Sequence, residues 1–217
     1  IHSPFVYDIV SRVFRNKTDP SFVYSIEKIR KRMMSDHRIF ELQDHGAGSL
    51  RTRNAMRKVS DIARYSPVTE KYGKLLANMA SEFGGPLIVE FGTSFGISTM
   101  YMAASCGETT VISMEGSPAA AEIAVKNFKE AGLNNIRLIE GLFEESIPDI
   151  IDQGIRPGLI FIDGDHSKKP LLENFEKMAE ISDNNTVIII DDINYSREMA
   201  EAWNEIKQYG KVTLTLD

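Results

Sequence analysis

Two hydrophobic patterns divide the chain. In residues 1–82 apolar positions recur at helical spacing. Val6, Ile9, Val10 and Val13 mark a first helix, with Ser3-Pro4 as its start signal. Phe22, Ile26 and Ile29 mark one face of a second, over about 21–35. Further helices are expected over 51–65 and 69–83, with Gly46-Ala47-Gly48 as the break before them. From Pro86 onward the pattern becomes short unbroken apolar runs, at 87–91, 110–114, 136–139, 159–162 and 187–190, with a sixth strand at 212–216. Continuous runs of that length are strands buried on both faces, and strands that alternate with helices build a parallel sheet. The intervening helices are expected at 96–105, 117–131, 170–181 and 196–209. The pattern is that of an α/β fold, a Rossmann-like, doubly wound, mostly parallel sheet over 83–217. An N-terminal helical extension, or cap, over 1–82 precedes it.

The first apolar run leads into the stretch that carries most chemistry, Leu87-Ile-Val-Glu-Phe-Gly-Thr-Ser-Phe-Gly-Ile-Ser-Thr99. Gly92 and Gly96 allow a sharp turn and the close approach of a ligand. Thr93, Ser94 and Ser98 are suited to cap the helix that follows. A dinucleotide site would require G-x-G-x-x-G here, and Ser94 and Ile97 stand where its second and third glycines would be. No P-loop motif occurs in the chain. Glu90, at the end of the strand, would repel a pyrophosphate and attract a cation. S-adenosylmethionine fits that demand, with a sulfonium, an ammonium and no phosphate. The alternative for this stretch is an ordinary strand-turn-helix without a ligand.

The strands share a second feature. Glu90, Glu115, Glu140, Asp163, Asp165, Asp191 and Asp192 all fall at or just past the carboxyl end of a strand. In open α/β sheets ligands bind beyond that edge. Gathered carboxylates are costly unless they are hydrogen-bonded, paired or bound to a cation. Glu115 lies roughly 20 residues past the glycine turn, where an acid takes the two ribose hydroxyls. Asp163, Asp191 and Asp192 form a candidate all-oxygen site for Mg²⁺. Asp191 and Asp192 also suit a helix N-cap. His166 is a candidate general base or metal ligand, or else a solvent-exposed loop residue. His2, His37 and His45 read as packing or surface residues.

Charge narrows the partners. The net charge of −6 argues against a generic nucleic-acid binder. Basic residues do cluster at Lys28, Arg30, Lys31 and Arg32 and at Arg51, Arg53, Arg57 and Lys58. They read as solvated faces, with an acidic substrate or partner subunit as the alternative. Cys106 is the single cysteine, which excludes an intrachain disulfide and fits a reducing cytoplasm. No transmembrane run or signal peptide is visible, so no membrane role is expected.

Val89–Thr99, Met114-Glu-Gly-Ser-Pro118, Phe161-Ile-Asp-Gly-Asp-His166 and Ile190-Asp-Asp192, taken together, resemble the class I S-adenosylmethionine-dependent methyltransferases. Among these the chain is similar to the small-molecule O-methyltransferases that include catechol, caffeoyl-CoA and macrolide-sugar enzymes. The resemblance covers about residues 66–217, and Ser66-Pro67 through Leu76 resembles the segment that closes over the cofactor. It implies a cofactor set of Glu90, Gly92, Thr93, Ser94, Ser98, Glu115, Gly116, Gly141, Leu142 and Asp163. The methionine part would lie against Glu90, Gly92, Thr93 and Ser98, the ribose on Glu115, and the adenine near Gly141-Leu142. It implies Asp163, Asp191 and Asp192 as metal ligands, while His166, from its place past the strand-four acids, and Asp163 are the catalytic candidates. Many relatives carry lysine near the position of His166. The family sheet also ends on a seventh, antiparallel strand that this sequence stops short of. The implied reaction is O-methylation of a small hydroxylated acceptor, with Mg²⁺ assistance in the metal-dependent branch. The alternatives are methylation of RNA or another large acceptor through the basic helices, and a non-catalytic cofactor-binding or assembly module. The helical extension is compatible with a homodimer.

Overall fold

In the computed structural model, residues 4–43, 55–65, 67–152, 154–209 and 214–215 are described. The N-terminal segment starts with helix α1, Pro4–Asp8, which continues as a π-type helix over Ile9–Phe14. Asp19 caps α2, Pro20–Met34, by accepting from the Ser21 N–H at 2.8 Å, with proline at the first helical position. Val23, Ile26, Ile29 and Met33 form its buried face.

Two strands follow, the second of them where helix was expected. β1, Ile39–Leu42, pairs antiparallel with β2, Ala55–Lys58, and only Val59–Tyr65 is helical, as α3. The expected helix over 51–65 is corrected accordingly. α4, Glu70–Phe83, then leads to the main sheet. Ser3, His2, His45, Gly46–Gly48, Arg51, Arg53 and Ser66 lie outside the described residues.

The main sheet holds β3 Leu87–Phe91, β4 Thr110–Glu115, β5 Ile136–Glu140, β6 Leu159–Ile162 and β7 Val187–Ile190. Its order is β5-β4-β3-β6-β7, and all pairs are parallel. The chain winds outward from β3 to β5 and then returns to β6, so the strand order reverses at the β3/β6 boundary. The helices are α5 Ile97–Ser105, α6 Pro118–Glu130, α7 Phe143–Ile151, α8 Lys168–Ile181 and α9 Arg197–Ile206. α7 had no counterpart in the sequence reading, because Pro148 interrupts its pattern. Phe143, Ile147, Ile150 and Ile151 nevertheless keep helical spacing and pack into the core beneath β3 and β4. The expected sixth strand falls mostly on undescribed residues, and Leu214 and Thr215 have no regular structure.

One core face joins the N-terminal segment to the sheet domain. Val23, Ile26, Ile29 and Met33 of α2 pack with Phe95, Ile97, Met100, Tyr101 and Phe128. Two basic residues expected on a solvated face support this junction. Arg30 pairs with Glu27 at 3.1 Å and donates to the Val68 carbonyl, while Arg32 reaches Glu130 at 3.0 Å and Asn127 at 2.7 Å. Lys28 and Lys31 are exposed, as is His37. No helix among the described residues is long and apolar enough to cross a membrane.

Candidate active site

The site begins with the turn after β3. Gly92 has φ +94°, and a Cβ there would stand 2.3 Å from the Asp163 carbonyl oxygen. Only glycine lets this turn pass so close to the end of β6. Gly96 has φ +80°, and a Cβ there would meet the Phe128 ring at 2.2 Å. Thus α5 starts tight against α6. Ser94, between them, is held at φ 49°. Its N–H donates to Glu115 Oε2 at 2.7 Å, and Ser117 N–H donates to Glu115 Oε1 at 2.8 Å. One carboxylate at the end of β4 therefore fixes the turns after both β3 and β4.

Glu90 is wholly buried beneath this surface. Ser98 Oγ donates to its Oε1 at 2.5 Å, Ser113 Oγ to its Oε2 at 2.6 Å, and the Thr99 hydroxyl completes the set. Burial pushes its pKa up to about 7 even so, against three hydroxyl donors that favour the ionised form. Glu90 thus lies under the site and acts through Ser98 and through its charge. Ser98 itself reaches the surface above.

Beyond β6 and β7 a second group assembles. Asp163, His166 and Asp192 each present a ligand-type atom, all within 4.8 Å of one another. His166 Nε2 lies 3.7 Å from Asp192 Oδ2, and its ring stands 5.0 Å from that of Tyr195. Burial, reinforced by Asp191, Asp192 and Glu90, holds the Asp163 carboxyl well above the usual carboxylate range. Burial raises Asp191 as well. Asp191 Oδ1 accepts the Asp192 N–H at 2.8 Å. Among the described residues the converging set is therefore Asp163, His166 and Asp192, with histidine where the sequence reading had placed Asp191.

Among the described residues, the non-glycine residues with left-handed backbone are Ser94, Asp165 and Asp192, following β3, β6 and β7 respectively. Strain of this kind persists where the surrounding structure over-determines it, and it concentrates at functional sites.

A cleft of about 590 Å³ runs over this edge of the sheet. Gly92, Thr93, Ser94, Ser98, Glu115, Gly116, Gly141, Leu142, Asp163, Asp165 and His166 line it. Glu140 is exposed and outside its wall, while Asp191 and Asp192 line a neighbouring, more apolar cavity of about 610 Å³ along β7. The cleft also has walls that sequence reasoning missed. Leu42, Gln43 and Arg57 come from the β1–β2 hairpin, Phe143 and Glu144 from α7, Asn174 and Lys177 from α8, and Tyr195 from the β7–α9 loop. The apolar residues Ile39, Phe40 and Leu42 were the available signal for the hairpin.

The arrangement fits a small cationic cofactor of nucleoside type. The glycines let the turn come close, a carboxylate stands at the end of β4 for a diol, and a buried carboxyl lies under Ser98. Asp163 and His166 then stand in the same cleft, with Asp192 beside them on the wall of the neighbouring cavity, where a proton can be accepted or a cation held.

Residues 89–193 match a protein family described as a methyltransferase domain. The chain is 32% identical over 129 residues to a catechol O-methyltransferase of Niastella koreensis, covering 58% of each chain. It is 27% identical over 128 residues to a catechol O-methyltransferase of Mycobacterium tuberculosis, covering 58% of this chain and 56% of that one. The chain thus spans somewhat over half the length of these curated relatives. Among solved structures it resembles the O-methyltransferase of Bacillus cereus in complex with S-adenosylhomocysteine, with TM-score 0.63 and 24% identity over 96% of this chain and 88% of that one. It also resembles an O-methyltransferase of Streptomyces achromogenes involved in tomaymycin synthesis, in complex with S-adenosylmethionine, with TM-score 0.59 and 18% identity over 95% and 84% of the two chains.

Proposed function

We propose that the protein, whose residues 89–193 match a methyltransferase-domain family and whose main sheet is Rossmann-like, is an S-adenosylmethionine-dependent O-methyltransferase acting on a small hydroxylated acceptor. The observation that carries this reading is the single cleft that joins the Gly92–Ser94 turn, Glu115 and Asp163 over the carboxyl edge of the sheet. The relatives named as catechol O-methyltransferases support the acceptor class.

S-adenosylmethionine supplies, when bound, a methyl group on a positively charged sulfur that leaves as a neutral thioether. The protein's share of the chemistry is binding, orientation and proton management. Glu115 would hold the ribose hydroxyls. Thr93, Ser94 and Ser98 would face the methionine part, with the Glu90 charge beneath them favouring a cation. Gly141 and Leu142 would border the base. Asp163, His166 and Asp192 would take up the hydroxyl proton of the acceptor at the far end of the cleft. A divalent cation such as Mg²⁺ fits this last group by its donor atoms, and would lower the pKa of an acceptor oxygen. Arg57 and the β1–β2 hairpin close the cleft from the N-terminal side and would help to shape what enters.

The test is transfer of a labelled methyl group from S-adenosylmethionine to a panel of catechols and simple phenols. The expected result is a methyl ether product, with turnover reduced by about a hundredfold or more in Asp163→Asn. No product from any hydroxylated acceptor, by protein that binds the cofactor, would contradict the reading.

A further inference from the structure

Arg30 and Glu27 turn inward from α2, and their side chains are only 11% and 18% exposed. A guanidinium withdrawn that far from water is costly unless its donors find acceptors. Here it finds two. Nε donates to Glu27 Oε1 at 3.1 Å, and Nη2 donates to the Val68 carbonyl at 2.5 Å, 38 residues away in sequence. Glu27 is held from its other side by the Tyr101 hydroxyl, which donates to the same Oε1 at 2.9 Å. Burial, with the bond to Glu27, pushes the Tyr101 phenol far above its usual range, so it stays a donor. The Tyr101 ring is itself locked in place. A Cβ at Gly73 would stand 2.4 Å from it, so α4 lies directly on the ring. A chain of contacts thus runs from α5 through α2 to the Val68 carbonyl.

That carbonyl belongs to a wall of the cleft. Pro67 and Val68, in the connection from α3 to α4, have no helix or strand structure, and both line the cleft together with Gly92, Thr93 and Ser94. Val68 also lines the apolar cavity, so it stands on the rim between the two spaces. Pro67 has no N–H, and neither residue takes part in a backbone–backbone hydrogen bond among the described residues. Apolar contacts hold the Val68 side chain, but they do not set the direction of its peptide. Arg32, two residues further along α2, points elsewhere and reaches another wall. Its Nη2 donates to Asn127 Oδ1 at 2.7 Å, and the buried Asn127 donates from Nδ2 to the Phe95 carbonyl, in the glycine turn, at 2.8 Å. We infer that Arg30 is a positioning residue for the cofactor. It ties the Val68 wall to the same helix that Arg32 ties to the glycine turn, and so keeps the cleft at the width a nucleoside cofactor fills. This deepens the proposed function and rests on its cofactor reading. Arginine suits the role because one planar fork serves two acceptors at once, which an ammonium does less well.

The experiment uses the full chain, with S-adenosylhomocysteine as the probe. Arg30→Met keeps the apolar stem and removes the donors. It also strips Glu27 of its cation, so the double variant Glu27→Gln, Arg30→Met is measured beside it, because the amide oxygen still accepts from Tyr101 without a buried charge. Calorimetric titration should show binding weakened by about tenfold or more in both variants. Circular dichroism melting should show the double variant folded, with a midpoint close to that of the wild type. Nitrogen-15 relaxation of the ligand-free protein gives a readout that needs no cofactor. Order parameters of the Val68 and Thr69 amides should be about 0.85 in the wild type and below about 0.6 in both variants. A purely structural Arg30 would lower the melting point of Arg30→Met while leaving affinity and order parameters unchanged below melting, and that result would overturn the inference. So would a loosened Val68 with unchanged affinity. A folded wild type that binds no S-adenosylhomocysteine would overturn the cofactor reading and with it the role of Arg30 toward a cofactor. Wild-type binding matched by both variants would overturn the inference alone.

Discussion

Glu90 shows how a single residue can be costly to the fold and useful to a site. It has no exposed surface, yet three hydroxyls donate to it, from Ser98, Thr99 and Ser113. Its pKa rises from the ordinary 4.5 to about 7 because burial outweighs those hydrogen bonds. A carboxyl raised on folding binds its proton more tightly in the folded state. Its stabilising effect is present below pH 4.5 and is lost as the pH rises through about 7. Asp163 and Asp191 shift in the same direction, so they add to the same trend. The thermal midpoint of the ligand-free protein is therefore expected to fall between pH 5 and pH 8. Glu90→Gln should flatten that fall by on the order of 3 kcal/mol, since each pK unit is worth about 1.4 kcal/mol. Equal slopes in wild type and variant, followed by thermal melts across that range, would show that Glu90 is not the titrating group. The same carboxyl connects stability to function, because a cation bound above Ser98 would favour its ionised form.

At the level of elements, the strand-turn-helix from β3 to α5 holds the site in shape. Gly92 combines φ +94° with a Cβ position 2.3 Å from the Asp163 carbonyl oxygen, which is backbone and cannot rotate away. Gly92→Ala should cost about 2–4 kcal/mol of unfolding free energy by combining a strained φ with overpacking. Urea denaturation measures this, and a loss below about 0.5 kcal/mol would mean that the β3 and β6 ends are free to separate. The turn was readable from sequence because glycines after a continuous apolar strand have few other uses. The acids past each strand end were readable for the same reason of position. Two elements were not. β1 and β2 pair with each other across intervening residues, and a basic four-residue strand such as Ala55–Lys58 carries no local signal that separates it from a helix. α7 hid behind Pro148.

In the whole molecule the N-terminal segment does more than precede the sheet. Met33 and Ile26 are buried against Phe95 and Tyr101, and the hairpin supplies Leu42, Gln43 and Arg57 to the cleft. The sheet contributes the generic half of the site, with Glu115, Gly141 and the glycine turn. The segment before it contributes Leu42, Gln43 and Arg57 to the wall, so motifs that lie after residue 86 describe only part of the cleft. The strand order reverses at β3/β6, and it is there that Gly92 and Asp163 meet at the cleft. The central claim is that this cleft binds the methyl-donor cofactor through Glu115. Calorimetric titration with S-adenosylhomocysteine tests it most directly. Wild type should bind with a Kd in the micromolar range, about −8 kcal/mol, and Glu115→Ala should weaken it by about tenfold or more. A folded wild type that binds nothing, or a variant that binds as tightly as wild type, would contradict the account.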